Sequence, residues 1–226
     1  MSGYPSGGTA SRGIRSSVSA EVWAPVGDAL LHGVVHAANN RIAALGGILQ
    51  LQEMELATPQ EGMQSVRDEF AKLRTLMERF RDLGSKRGEK KEATVIADAL
   101  KGASLLLAQH STARQWKLSI TEAAPDVEPV LLWATDPLRF ACLFILASGG
   151  PDIGSELLIT TLQNGEMVEV TAVSPMNLAA VMKRSEFVGL QQAATAEGGS
   201  LTAEPINDNA SVMVTLALPG LSKATK

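Results

Sequence analysis

The chain has 226 residues, 45% of them hydrophobic and 19% charged, with a formal net charge of −4 and a pI near 5.5. That length supports a true hydrophobic core in one large domain or two small ones, and the acidic balance gives no global basic field to gather a polyanion, so nucleic acid is not an expected partner. The longest unbroken apolar run, Phe140 to Ala147, falls far short of the ~18 residues of a membrane helix, no apolar segment follows a positive patch near Met1, and the single Cys142 has no intrachain partner, so a reducing, cytoplasmic setting without membrane contact is expected.

Residues 1–19 are rich in Ser and Gly without apolar periodicity and read as a flexible leader. Proline is absent between Pro25 and Pro59 and again between Pro59 and Pro125, which permits a long helix on each side of a break at Ala57-Thr58-Pro59. Thr58 is placed to cap the second helix, with Pro59 in its first position and Glu61 in its first turn. In the first helix, expected from about Trp23 to Leu56, an apolar stripe runs through Leu30, Val34, Ala38, Ile42, Leu45 and Leu49. In the second, Met63, Val66, Phe70, Leu73, Met77 and Phe80 alternate spacings of three and four, the period of a coiled-coil seam. Residues 20–84 therefore predict an antiparallel hairpin that a second copy completes as a dimeric four-helix bundle.

Residues 85–92, with the cations Lys86, Arg87, Lys90 and Lys91, read as a polar linker. From 93 to 219 the periodicities mix: a helix from about Val95 to Arg114, strands at Lys117–Thr121 and Val130–Ala134, a buried helix from about Pro137 to Ala147, strands at Leu157–Leu162 and Val168–Val173, a helix at about Glu186–Ala196, and strands at Ser200–Glu204 and Val212–Leu218. Asn164-Gly165 between two strand patterns signals a hairpin. The fold class expected is α+β, a helical hairpin followed by an α/β sandwich, with a short tail at 220–226.

The segment His32-Gly-Val-Val-His36-Ala-Ala-Asn39-Asn40-Arg41-Ile carries the chemistry. At about 100° per residue His36 lies opposite the stripe of Val34 and Ala38 and faces water. Ala43 and Gly47 continue that line with little bulk, so another protein's helix can approach closely, with Asn39 beside it. An exposed imidazole is nucleophilic when unprotonated and can hold a phosphoryl group as a phosphoramidate. Asn40, four residues on, can hydrogen-bond phosphoryl oxygens or a water, and Arg41 adds a permanent cation within about a turn. Spacing alone does not separate this from an ordinary surface histidine. His32 and His36 also have the i, i+4 geometry of a metal pair, but no acidic or Cys ligand stands next to them and no metal is expected.

The order of elements, a helix with His-x-x-x-Asn, a second coiled-coil helix, a polar link and an α/β domain, resembles the dimerisation and catalytic domains of bacterial sensor histidine kinases over most of residues 20–219. Trp133-Ala-Thr-Asp136-Pro137 followed by Leu138 to Ile145 is similar to that family's strand, aspartate and nucleotide-binding helix. Gly189-Leu190 through Gly198-Gly199-Ser200-Leu201 to Leu218-Pro219 is similar to its C-terminal end. Against the family pattern, Leu146 and Gly150 stand where asparagines would hold magnesium, and Ala37 replaces the acid after the histidine. Ser174-Pro175-Met176-Asn177 lacks the Asp-x-Gly-x-Gly adenine segment, and the glycine-rich lid loop before Gly189 is compressed.

A kinase-like body that keeps the histidine without nucleotide binding resembles the dimeric histidine phosphotransferases of alphaproteobacterial relays. The resemblance implies a phosphorelay protein in which His36, Asn40 and Arg41 carry the transfer and response-regulator receiver domains dock over Asn39, Ala43 and Gly47. No cofactor is bound by this chain, and magnesium is expected on the receiver. A pseudo-kinase binding module that docks receivers or kinases without carrying phosphate is the alternative, and an active kinase or phosphatase the third reading. Cys142, Trp116 and Trp133 are expected in the core, Asp136 as a helix cap, and His110 as a histidine favourable to a helix C-terminus.

Overall fold

The computed structural model describes residues 18–54, 58–84, 91–121, 130–150, 156–206 and 210–221. Helix α1, Ala20–Glu53, begins where Ser19 Oγ accepts the N–H of Val22, and helix α2 spans Pro59–Gly84. Thr58 caps α2 as expected, and Glu61 completes a reciprocal capping box: Glu61 N–H donates to Thr58 Oγ1, while Thr58 Oγ1 and N–H donate to Glu61 Oε2. These bonds hold the Glu61 carboxyl below its ordinary pKa. At Gly62 the bare backbone of α2 lies against the Gln52 side-chain amide of α1, whose Nε2 donates to the Pro59 carbonyl.

Strand β1 (Glu92–Val95) leads directly into α3 (Ile96–Leu107), and β2 (Lys117–Thr121), β3 (Leu131–Ala134), α4 (Pro137–Ser148), β4 (Glu156–Asn164) and β5 (Met167–Ser174) follow. Then come α5 (Leu178–Met182), α6 (Ser185–Ala196), β6 (Ser200–Ile206) and β7 (Ser211–Pro219). The main sheet has the order β2-β4-β5-β7-β6, with β2 and β4 parallel and every other pair antiparallel. β1 and β3 form a separate two-stranded ribbon. α3, α4 and α6 pack together over the sheet, and β5 and β7 alternate inward and outward along their length, as one covered face requires. α4 is the centre of the core: Phe140 through Ser148 are all buried, Cys142 among them, and burial pushes its thiol pKa up.

Several sequence expectations shift. The helix expected from Val95 to Arg114 is a strand, a helix ending at Leu107 and a short 3₁₀ turn at Ala113–Gln115, because β3 offers 92–95 a ladder partner that local periodicity cannot show. Gly165-Glu166, rather than Asn164-Gly165, is the tip of the β4–β5 hairpin; Asn164 pairs with Met167, and Gly165 has φ +62°. α5 was not expected. Trp116 packs against the core as predicted, whereas Trp133 lies on the outer face of β3. Asp136 caps α4 as predicted, its Oδ1 accepting the N–H of Arg139.

The boundaries at 19, 92 and 219 also move. Val18, assigned to the leader, is only 3% exposed in the core. The linker ends before Lys91, whose ammonium sits 2.8 Å from buried Glu197, and Gly220 pairs with Leu132 inside the expected tail. Val18, Val26 and Leu30 of the hairpin side belong to the same core as α3, α4 and the sheet. The first third of α1 is thus a wall of the α/β sandwich, with Arg139 of α4 stacked 5.0 Å from the Trp23 ring centroid and Val22 in contact distance of a bare Gly189.

Beyond residue 34 the hairpin is open on one side. In α2, Val66, Leu73 and Phe80 are half-buried while Met63, Phe70 and Met77 are exposed, so the expected seam divides into two heptad-spaced rows. In α1, Ile42 and Leu49 of the predicted stripe are exposed as well, with Phe70 and Ile42 each at 57%. An uncovered apolar row on both helices is what one half of a bundle presents.

Candidate functional site

His36 stands on α1 just after Leu30 and Val34 have turned into the core, and the helical period that buries those two carries its ring to solvent. Asn40 is one turn on, and its Nδ2 lies 3.0 Å from His36 Nδ1. In that arrangement Nδ2 donates, Nδ1 accepts, and the neutral ring carries its proton on Nε2. A half-turn of the amide presents Oδ1 instead, which accepts from Nδ1–H and leaves the lone pair on Nε2, the nitrogen that points away from its own helix partner.

A cleft of about 360 Å³ opens beside this pair. One wall is α1, with His32, Gly33, His36, Ala37 and Asn40; the other is the segment after α3, with Ala108, Gln109, Ser111 and Arg114. Gly33 fixes the distance between the walls, since a Cβ there would lie 1.7 Å from the Gln109 carbonyl oxygen. The second wall is held by His110, whose Nδ1 accepts the N–H groups of Thr112 and Ala113 at 3.3 Å each. Burial lowers the His110 pKa, partly countered by Glu186. His110 therefore acts as a neutral acceptor that shapes a loop, and the expected role as a cation at a helix C-terminus is corrected.

The other predicted residues divide. Arg41 points across to α2, where Glu69 Oε2 lies 3.0 Å away, and Lys72 approaches the same carboxylate at 2.6 Å. Lys72 first, then Arg41, holds Glu69 below its ordinary pKa. The two cations border a neighbouring hollow of about 410 Å³ rather than the cleft at His36. Asn39 lines a shallow depression with His32, Val35, His36 and Asn40. Ala43 is exposed and Gly47 has no atom within 4 Å of where a Cβ would be, so the approach beyond His36 is open. Among the described residues no group of three or more His, Cys, Asp or Glu is placed to hold a metal ion, and no described helix is long and apolar enough to cross a membrane.

Sequence reasoning missed Gly33, Gln109, Ser111 and Arg114. Nothing local marks the last three, because their relation to His36 exists only once the sandwich has docked on α1.

No family model and no curated protein matches this chain. Comparison with solved structures finds histidine kinases. The Acinetobacter baumannii histidine kinase AdeS is 13% identical over 83% of this chain and 98% of its own, at a TM-score of 0.42. A histidine kinase from Burkholderia phymatum STM815 is 13% identical over 82% of this chain and 99% of its own, at 0.44. Full-length ShkA in complex with AMPPNP is 13% identical over 85% of this chain and 46% of its own, at 0.46.

Proposed function

We propose that this chain is a histidine phosphotransfer protein of a two-component phosphorelay: His36 takes a phosphoryl group from the aspartyl phosphate of one response-regulator receiver domain and returns it to another. The observation that carries the reading is an exposed His36, hydrogen-bonded through Nδ1 to Asn40 and lining a cleft together with it. In the transfer the Nε2 lone pair attacks phosphorus, the N–P bond forms, and the P–O bond to the aspartate breaks. The carboxylate leaves with the bonding electrons, and the ring keeps its proton on Nδ1, where Asn40 Oδ1 accepts it. Magnesium remains on the receiver. The side of α1 that carries Asn39, Ala43 and Gly47 is the approach for that partner.

The protein acts as a transferase without autokinase activity. α4 contains no Asn, Asp, Gln or Glu, Leu146 is packed in the core, and its carbonyl accepts the Arg184 guanidinium, which leaves no ligand for a nucleotide-bound magnesium on that helix. The exposed rows of Ile42 and Leu49 and of Met63, Phe70 and Met77 support a homodimer through the hairpin, and the setting proposed is cytoplasmic.

The test is incubation of the whole chain with phosphorylated receiver domains, followed by assay for acid-labile, base-stable label. Label is expected on the wild type and absent from His36→Ala. If receivers bind but no label appears, the phosphotransfer reading fails and the binding-module account replaces it.

A further inference from the structure

We propose that the cleft beside His36 is a phosphoryl-binding site assembled from both parts of the chain, with Arg114 of the α/β sandwich as its cation; this rests on the phosphotransfer reading of His36. Arg41, the cation that sequence spacing sets nearest the histidine, is committed to Glu69 on α2 and borders a different hollow. Arg41 does not line the cleft at His36, so a permanent charge within that cleft comes from another residue. Among the residues lining the cleft, Arg114 alone carries a permanent charge, and Ser111 and Gln109 on the same wall add neutral donors.

The wall is built rather than incidental. The Gln109 N–H donates to the Leu106 carbonyl, the His110 N–H to the Leu107 carbonyl, and the Arg114 N–H to the His110 carbonyl at 3.2 Å, while the His110 ring accepts from Thr112 and Ala113. Ala113, next to Arg114, is buried, which anchors the segment in the core. Gly33 lets the Gln109 carbonyl rest on α1 one turn before His36, so the segment that carries Arg114 is brought to the cleft by the docking of the two parts. As His36 Nε2 bonds to phosphorus and the aspartate carboxylate departs, the peripheral phosphoryl oxygens keep their negative charge throughout. A guanidinium fork bonds two such oxygens at once and offsets that charge in a partly enclosed site. A body with no magnesium ligand on α4 thereby keeps a part in the transfer.

Two donors separate the sources of phosphate. Phosphoramidate, which transfers its phosphoryl group with loss of ammonia, has no protein surface; a phosphorylated receiver has one. With phosphoramidate, Arg114→Ala of the full chain is expected to lower the initial rate of His36 labelling by about tenfold, and Arg114→Lys to restore part of it. Lys117→Ala is expected to match the wild type, and thermal midpoints to stay together. Equal labelling of Arg114→Ala and wild type by phosphoramidate overturns the proposal. Loss confined to the receiver reaction overturns it too, by making Arg114 a docking contact. A titration with inorganic phosphate, read from the His36 ring resonances, decides the site without any transfer: a shift in the wild type that Arg114→Ala abolishes supports it, and equal or absent shifts overturn it. If neither donor labels the wild type, the phosphotransfer reading falls, while that titration still decides whether the cleft binds phosphate.

Discussion

His110 shows how one side chain's protonation reaches the candidate site. Its lowered pKa means that the folded state favours the neutral ring, which accepts from Thr112 and Ala113; the unfolded chain has no such preference. Above the unfolded value of about 6.5 both states are neutral and the loop bonds are intact, and as pH falls below it the unfolded state takes up a proton first. The thermal midpoint is expected to drop as pH falls below about 6.5, and to drop less in His110→Asn, whose amide oxygen still accepts. A midpoint with the same pH dependence in both proteins would remove His110 from the account. His36→Ala, by contrast, leaves no cavity and is expected to change stability by no more than ~0.5 kcal/mol while abolishing transfer. Asn40→Ala removes the hydrogen-bond partner of His36 Nδ1, and a roughly tenfold slower but measurable transfer is expected in the receiver assay. His36 and Asn40 were legible in the sequence because both lie on one helix, where period alone sets their neighbourhood. Arg114 was not, because its place depends on a long-range docking that no window of sequence contains.

At the scale of elements, two glycines of α1 have opposite meanings. Gly33 meets the Gln109 carbonyl, so Gly33→Ala forces the backbone of one wall to move and is expected to cost ~1 to 3 kcal/mol in urea unfolding. Gly47 meets nothing, so Gly47→Ala should gain ~0.5 to 1 kcal/mol from helix propensity alone. Urea midpoints that moved the same way for both would contradict this contrast. The sequence marked Gly47 as a low-bulk position beyond His36 and gave no sign of the contact that Gly33 makes. The capping box at Thr58 and Glu61 was legible because its four residues suffice to make it. The short strand β1 was not, since Glu92-Ala-Thr-Val is apolar enough to begin a helix, and only the pairing with β3 decides otherwise. The three-and-four spacing of α2 is visible in the sequence, but its division into a half-buried and an exposed row follows from which side α1 occupies.

For the whole molecule, the exposed row of Met63, Phe70 and Met77 together with Ile42 and Leu49 leads to an assembly prediction. Light scattering at micromolar concentration is expected to give twice the chain mass, and Phe70→Glu to give monomer or aggregate, since a charge in a buried seam is strongly disfavoured. A monomeric wild type would exclude the bundle. The order of a hairpin followed by a sandwich was visible along the chain, whereas the sharing of α1 between them was not, because the stripe that buries Leu30 against α/β core and the stripe that leaves Leu49 bare are one continuous pattern in the sequence. That sharing has a practical consequence for dissecting the protein. A fragment beginning at Lys91 would expose the surface that Val18, Val22, Trp23, Val26 and Leu30 cover, and should not fold cleanly by itself. A chain cut once between residues 84 and 91 keeps all those side chains. Its two pieces should therefore remain associated through gel filtration and reassemble when mixed after denaturation, as a split protein whose N-terminal piece is both a helical hairpin and a missing element of its neighbour's core.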